Sequence, residues 1–217
     1  MKTPLKCLSI MFTTTLVVLS TNDLAASPPT VHLFKNISSQ LPKRDHSKVK
    51  AIIDDLSNPH PQSALGTSWR FVSDTVMGGI SSGSISREDV DGRKALRLTG
   101  NVSLENNGGF VQMVLQLNSK NDNIDPSGYK GIELLVRGNN EPYSLHLRTL
   151  DLERPWQSYR QKFIAKDKWA VIKLAFNNFE QYRTEKKLDL SKLRRLGVVA
   201  IGKEFSADIS VAGISFY

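Results

Sequence analysis

The sequence predicts an all-β fold of two packed antiparallel sheets, and three observations carry the prediction. From Trp69 to Tyr217, apolar residues recur at every second position in short runs. That spacing turns one side of a strand toward a core and the other away from it. Turn-forming clusters separate the runs: Asn106-Asn107-Gly108-Gly109, Asp125-Pro126-Ser127-Gly128, Gly138-Asn139-Asn140 and Asn177-Asn178. The 217 residues also suit one sandwich with a tail.

In chain order, residues 27 to 66 read as a polar lead-in punctuated by Pro28, Pro29, Pro42, Pro59 and Pro61. A short helix is expected inside it. Ser47 is placed to cap, and Val49, Ile52, Ile53 and Leu56 recur at helical spacing. Strands are expected at Ala95–Thr99, Gly109–Leu117, Gly131–Val136, Tyr143–Thr149, Trp156–Ile164, Trp169–Leu174, Leu196–Ile201 and Ile209–Phe216. A helical turn is expected at Ser191–Arg194, capped by Ser191.

Residues 1 to 26 read as an export segment. Lys2 and Lys6 open it, the uncharged stretch Leu8–Ser20 follows, and Leu24-Ala25-Ala26 offers a cleavage site. Thr and Ser content and the absence of acids before Asp23 also fit a mitochondrial presequence; the lack of Arg and the uniformly apolar stretch favour export to a periplasm or exterior. The apolar stretch is shorter than the roughly 20 residues of a membrane span, so no transmembrane segment is expected in the mature chain. The single cysteine, Cys7, falls inside this segment. Disulfides, thiolate metal sites and cysteine nucleophiles are therefore not expected in the mature chain. The division that follows is 1–26 export segment, 27–53 lead-in with the short helix, and 54–217 domain.

The net charge is +8, with Lys and Arg spread along the chain. The denser clusters, among them Lys192 to Arg195, are not interleaved with aromatics as a nucleic-acid platform would be, so no nucleic-acid partner is expected. Catalytic constellations are also missing. Three of the four histidines, His32, His46 and His60, lie in the polar lead-in without metal spacing. No nucleophile elbow, phosphate loop or HExxH motif occurs. No enzyme activity, metal or cofactor is expected.

The candidate binding residues come from strand phase and from one loop. In Tyr143–Thr149, Leu145 and Leu147 share one face while His146 and Arg148 share the other. The following strand adds Trp156, Tyr159 and Arg160, which read either as aromatic plates beside Arg donors or as a partly buried aromatic cluster. In the loop, Gly78 and Gly79 allow close backbone approach. Asp74 and Ser81 offer oxygens, and Met77 fills the core beneath in the structural reading.

Several blocks resemble one family. They are Trp69 to Gly83, with its Val-Met-Gly-Gly core; Leu104-Glu105-Asn106-Asn107-Gly108-Gly109-Phe110; Tyr129-Lys130-Gly131-Ile132-Glu133-Leu134; Pro155-Trp156-Gln157-Ser158-Tyr159; and Val211-Ala212-Gly213-Ile214. In this order they are similar to the complex I intermediate-associated protein 30 family over about residues 54 to 217. The resemblance implies a galactose-binding-like jelly-roll β-sandwich, akin to carbohydrate-binding modules. It also implies an assembly factor acting through protein contacts, with a partner such as a respiratory or membrane complex subunit. The export segment points instead to a module that recognises a glycan on its β-face. Both readings stay open at this stage.

Overall fold

Alternation along each strand decides the layers of this protein. The computed structural model describes residues 51–120 and 122–217. The strands are β1 (Ala51–Asp54), β2 (Arg70–Ser73), β3 (Ser82–Val90), β4 (Arg93–Val102), β5 (Phe110–Gln116), β6 (Gly131–Gly138), β7 (Glu141–Thr149), β8 (Ser158–Ala165), β9 (Ala170–Ala175), β10 (Glu180–Tyr182), β11 (Leu193–Ile201) and β12 (Phe205–Phe216). They form two six-stranded sheets, paired antiparallel throughout. The first runs β3-β4-β12-β6-β9, with β1 paired to the end of β12; the second runs β10-β8-β7-β11-β5-β2.

The inward residues come from every second position. Leu96 and Leu98 of β4, Ile132, Leu134 and Val136 of β6, and Ile209 and Val211 of β12 line the first sheet. Val111, Met113 and Leu115 of β5, Leu145 and Leu147 of β7, and Leu196, Val198 and Ala200 of β11 line the second. They meet in one apolar cluster. Burying each such side chain stabilises the fold by roughly 1.5–3 kcal/mol. Trp69 joins the cluster, and its indole N–H donates to Asp54 Oδ2 at 2.7 Å. That buried carboxylate also accepts from the N–H groups of Leu56 and Ala64, so the segment after β1 is tied to Trp69.

Three local expectations are corrected. Residues 51–54 of the expected helix form β1, with Ile53 in the core and Ile52 outward; residues 47–50 lie outside the described residues. Pairing with β12 satisfies this backbone at a sheet edge, and tertiary pairing overrides a weak helical period. The short turn near Ser191 is a single 3-10 turn, Leu190–Lys192, capped by the Asp189 carboxylate, which accepts from Ser191 N–H at 3.1 Å. β3 was not expected as a strand. Its sequence is polar because it forms the edge of the first sheet, paired on one side only, to β4.

Candidate binding face

The family-like loop blocks meet at Asp74, which is fully buried at the start of the 3-10 turn Asp74–Met77. Its carboxylate accepts from the N–H groups of Ser81 at 2.9 Å, Gly109 at 2.5 Å and Phe110 at 3.2 Å, and from the Ser81 hydroxyl. Burial opposes its ionisation, but these donors outweigh burial and hold Asp74 below the usual carboxylate range. The glycines are required by proximity. A Cβ on Gly79 would lie 2.4 Å from Asp74 Cγ, and one on Gly108 would lie 2.6 Å from Asp74 Oδ2. Gly78 adopts a φ of 90°, open to glycine at little strain. Asp74 and Ser81 are thus occupied in joining two loops, with no lone pair turned outward for a ligand. Met77, a candidate contact residue in one reading and a core plug in the other, is 46% exposed and does not plug the core. Its helical turn ends at Gly78, so the side chain rides the outside of the loop beside exposed Val76 and Ile80.

The outer face of the second sheet is set by register. One row across it holds Glu180 (β10), Arg160 (β8), His146 (β7), Gly197 (β11), Val114 (β5) and Arg70 (β2). The next row holds Arg148 and Arg195 opposite each other, with Gln116 beyond. A register shift between Leu193 and Arg195 puts two residues between core-facing Leu193 and Leu196. Both Arg194 and Arg195 therefore turn outward, a bulge that re-aims side chains. The face is strongly cationic, and none of these arginines forms an ion pair among the described residues.

His146 sits at its centre. Its Nδ1 lies 3.2 Å from the Ser158 hydroxyl, while Nε2 is buried without a partner. Burial first, then Arg160 and Arg195, pull its pKa down from 6.5 to about 4, so the ring is neutral at pH 7. Arg160 stacks over the Tyr182 ring at 4.2 Å, with its Nε buried and unpartnered. Burial, with Arg148, Arg194 and Arg70 nearby, lowers Arg195 to about 10.

Two predicted site residues take other roles. Tyr159 is in the core, not on the face with Arg160, because adjacent strand residues point to opposite sides; its hydroxyl donates to Lys187 O at 2.9 Å. Arg148 lies on the outer side, as its phase predicts, but is 7% exposed. Its guanidinium donates to the carbonyls of Arg154 (2.7 Å), Pro155 (2.6 Å), Gln157 (2.8 Å) and Leu152 (3.0 Å), clamping the β7–β8 connection. Trp156 stands on that connection, 44% exposed. The face thus joins His146 and Arg160, borders Trp156, and leaves Asp74, Met77, Gly78, Gly79 and Ser81 in a separate loop cluster. Sequence reasoning missed Arg70, Tyr182 and the Arg194-Arg195 pair. The signal was present, since two cations between Leu193 and Leu196 break the period of two and mark a bulge.

Among the described residues, no three His, Cys, Asp or Glu side chains gather as a metal site. No helix among them is long and apolar enough to cross a membrane.

The fold and topology define a galactose-binding-like jelly-roll β-sandwich. The chain belongs to the family described as Complex I intermediate-associated protein 30 (CIA30), whose model matches residues 59–210. Among solved structures, it is similar to the family 11 carbohydrate-binding module from Clostridium thermocellum in complex with a β-1,3-1,4-mixed-linked tetrasaccharide. The TM-score is 0.61 at 12% identity, covering 77% of this chain and 94% of that one. The family 11 module of the cellulosomal cellulase Lic26A-Cel5E of the same organism gives the same values: TM-score 0.61, 12% identity, and 77% and 94% coverage. At this identity the likeness establishes the fold alone. Among curated proteins, none matches the chain.

Proposed function

We propose that this protein is a non-catalytic, exported binding domain that recognises an extended carbohydrate across the outer face of β10-β8-β7-β11-β5-β2. The carrying observation is the grouping on that face of arginine donors with an aromatic ring, Arg160 stacked over Tyr182 beside His146. The Tyr182 ring beside Arg160 adds an aromatic plate, and Trp156 adds a second at the border. The shared sandwich scaffold of the family 11 module, which was solved in complex with a mixed-linked tetrasaccharide, supports a sugar as the ligand. The test is a glycan array probed with the wild-type chain and with Arg160→Ala. Binding to a defined set of glycans that falls at least tenfold in the variant is expected. An array blank for both chains would refute the reading.

A second reading has its own observation. Val76, Met77, Ile80 and Leu104 are all exposed, and Asp74 and Ser81 draw their two loops together at one end of the sandwich. Exposed apolar residues held on a braced loop suit protein contacts, the mode of an assembly factor. Capture of a complex subunit by the wild-type chain and not by Met77→Asp would favour this role.

A further inference from the structure

We propose that the ligand of this face is an anionic glycan, carrying carboxylate or sulfate groups that Arg160, Arg195 and Arg70 seat. The inference rests on the carbohydrate reading above and adds the charge class of the sugar.

The argument begins with uncompensated charge. Arg70, Arg160, Arg194 and Arg195 occupy one side of one sheet, and none is ion-paired among the described residues. Several cations on the other sheet and in connections between strands are matched. Arg97 is bidentate to Asp208 and also reaches Glu88; Arg137 meets Asp91, Lys203 meets Glu141, and Lys192 meets Asp189. The lone carboxylate in the central row is Glu180, at the far β10 end and exposed. Partly buried guanidinium groups without counter-ions repel one another and lose hydration, a standing cost to stability. Such arrangements persist where function needs them. A bound anion would remove the cost and gain charge-assisted hydrogen bonds, which Arg forms in bidentate fashion with carboxylate or sulfate oxygens.

Spacing favours a chain-like ligand over a single ion. Arg160 and Arg70 stand four strand spacings apart, about 19 Å at about 4.8 Å each, with Arg195 between them. Gly197 adds no side chain to the middle of the face, and Val114 and the Gln112 amide close over it. Gln112 and Gln116 also share this side and offer neutral hydrogen bonds of the kind hydroxyls use.

The experiment titrates the full chain calorimetrically with four probes: oligogalacturonate (carboxylate), a sulfated galactan oligosaccharide, a neutral mixed-linked glucan tetrasaccharide, and polyglutamate. Binding to one or both anionic sugars, weakened by salt, is expected, and the responding arm identifies the source of the anion. Arg160→Gln and Arg195→Gln should each weaken it at least tenfold. The double variant Arg93→Gln/Lys94→Gln removes two charges from exposed positions on the other sheet and should change it less than threefold. Arg195→Gln should not lower Tm, since it removes a repelled charge, so loss of binding there is not loss of fold. Equal loss in the double variant would mean bulk attraction and overturn the proposal. Binding of the neutral glucan alone would overturn the charge assignment and leave the carbohydrate reading standing. Binding of polyglutamate with no response to any sugar would overturn both.

Discussion

A single carboxylate, Asp74, joins the two loop blocks that most resemble the family. It accepts four hydrogen bonds in a fully buried position. Asp74→Asn keeps the shape but replaces one acceptor oxygen with an NH2 group facing the backbone donors of Gly109 and Phe110. We expect a loss of about 2–4 kcal/mol, since buried donors are left unmade and a charged acceptor is gone. The check is the urea midpoint of the variant; a midpoint unchanged from wild type would refute this role. Glycine at 79 and 108 follows from the same carboxylate, because any Cβ there would overlap it. These residue types were readable as a turn, but the partner of Asp74 was not. Its donors lie up to 36 positions away in sequence, and no local pattern encodes which loop will close on it.

At the scale of elements, β7 and its following connection show how phase and role separate. The period of two in Tyr143–Thr149 puts Leu145 and Leu147 inward and Arg148 outward, as observed. Phase does not say what the outward side chain meets. The β7–β8 connection folds back over Arg148 and supplies four carbonyls that would otherwise lack donors. Arg148→Ala is therefore expected to destabilise the fold by about 2–4 kcal/mol, far beyond an exposed substitution. Arg148→Lys should recover only part of this, because one ammonium lacks the forked geometry. Equilibrium denaturation of both variants checks the order. The bulge in β11 is the converse case: its two outward arginines lie beside each other in the sequence, yet only pairing with β5 and β7 turns them onto a shared face with Arg160 and Arg70.

For the whole molecule, stability should fall on the acid side in two stages. His146 has its pKa pulled from 6.5 to about 4 in the fold, so the unfolded chain binds the extra proton first. The neutral ring's contribution is complete above about pH 6.5 and is lost as pH falls toward 4. Full expression amounts to about 3 kcal/mol, at 1.36 kcal/mol per pKa unit. Asp74, held below its ordinary 3.8, adds its loss as pH falls through 3.8 and lower. Urea midpoints at pH 7.5 and 4.5 should differ in wild type and converge in His146→Gln; identical wild-type midpoints would contradict the assignment.

The sequence by itself determined the two-layer β architecture, the inward and outward phase of the central strands, and the family. Each follows from periodicity or from contiguous blocks, and both are local properties of a chain. Tertiary structure alone decided that 51–54 is a strand, that Tyr159 is core, that Arg148 is a clamp, and that four arginines from β2, β8 and β11 share an unneutralised surface. Those outcomes depend on which strands lie side by side and which loop covers which face, and pairing between distant segments is set by the packing of the whole sandwich.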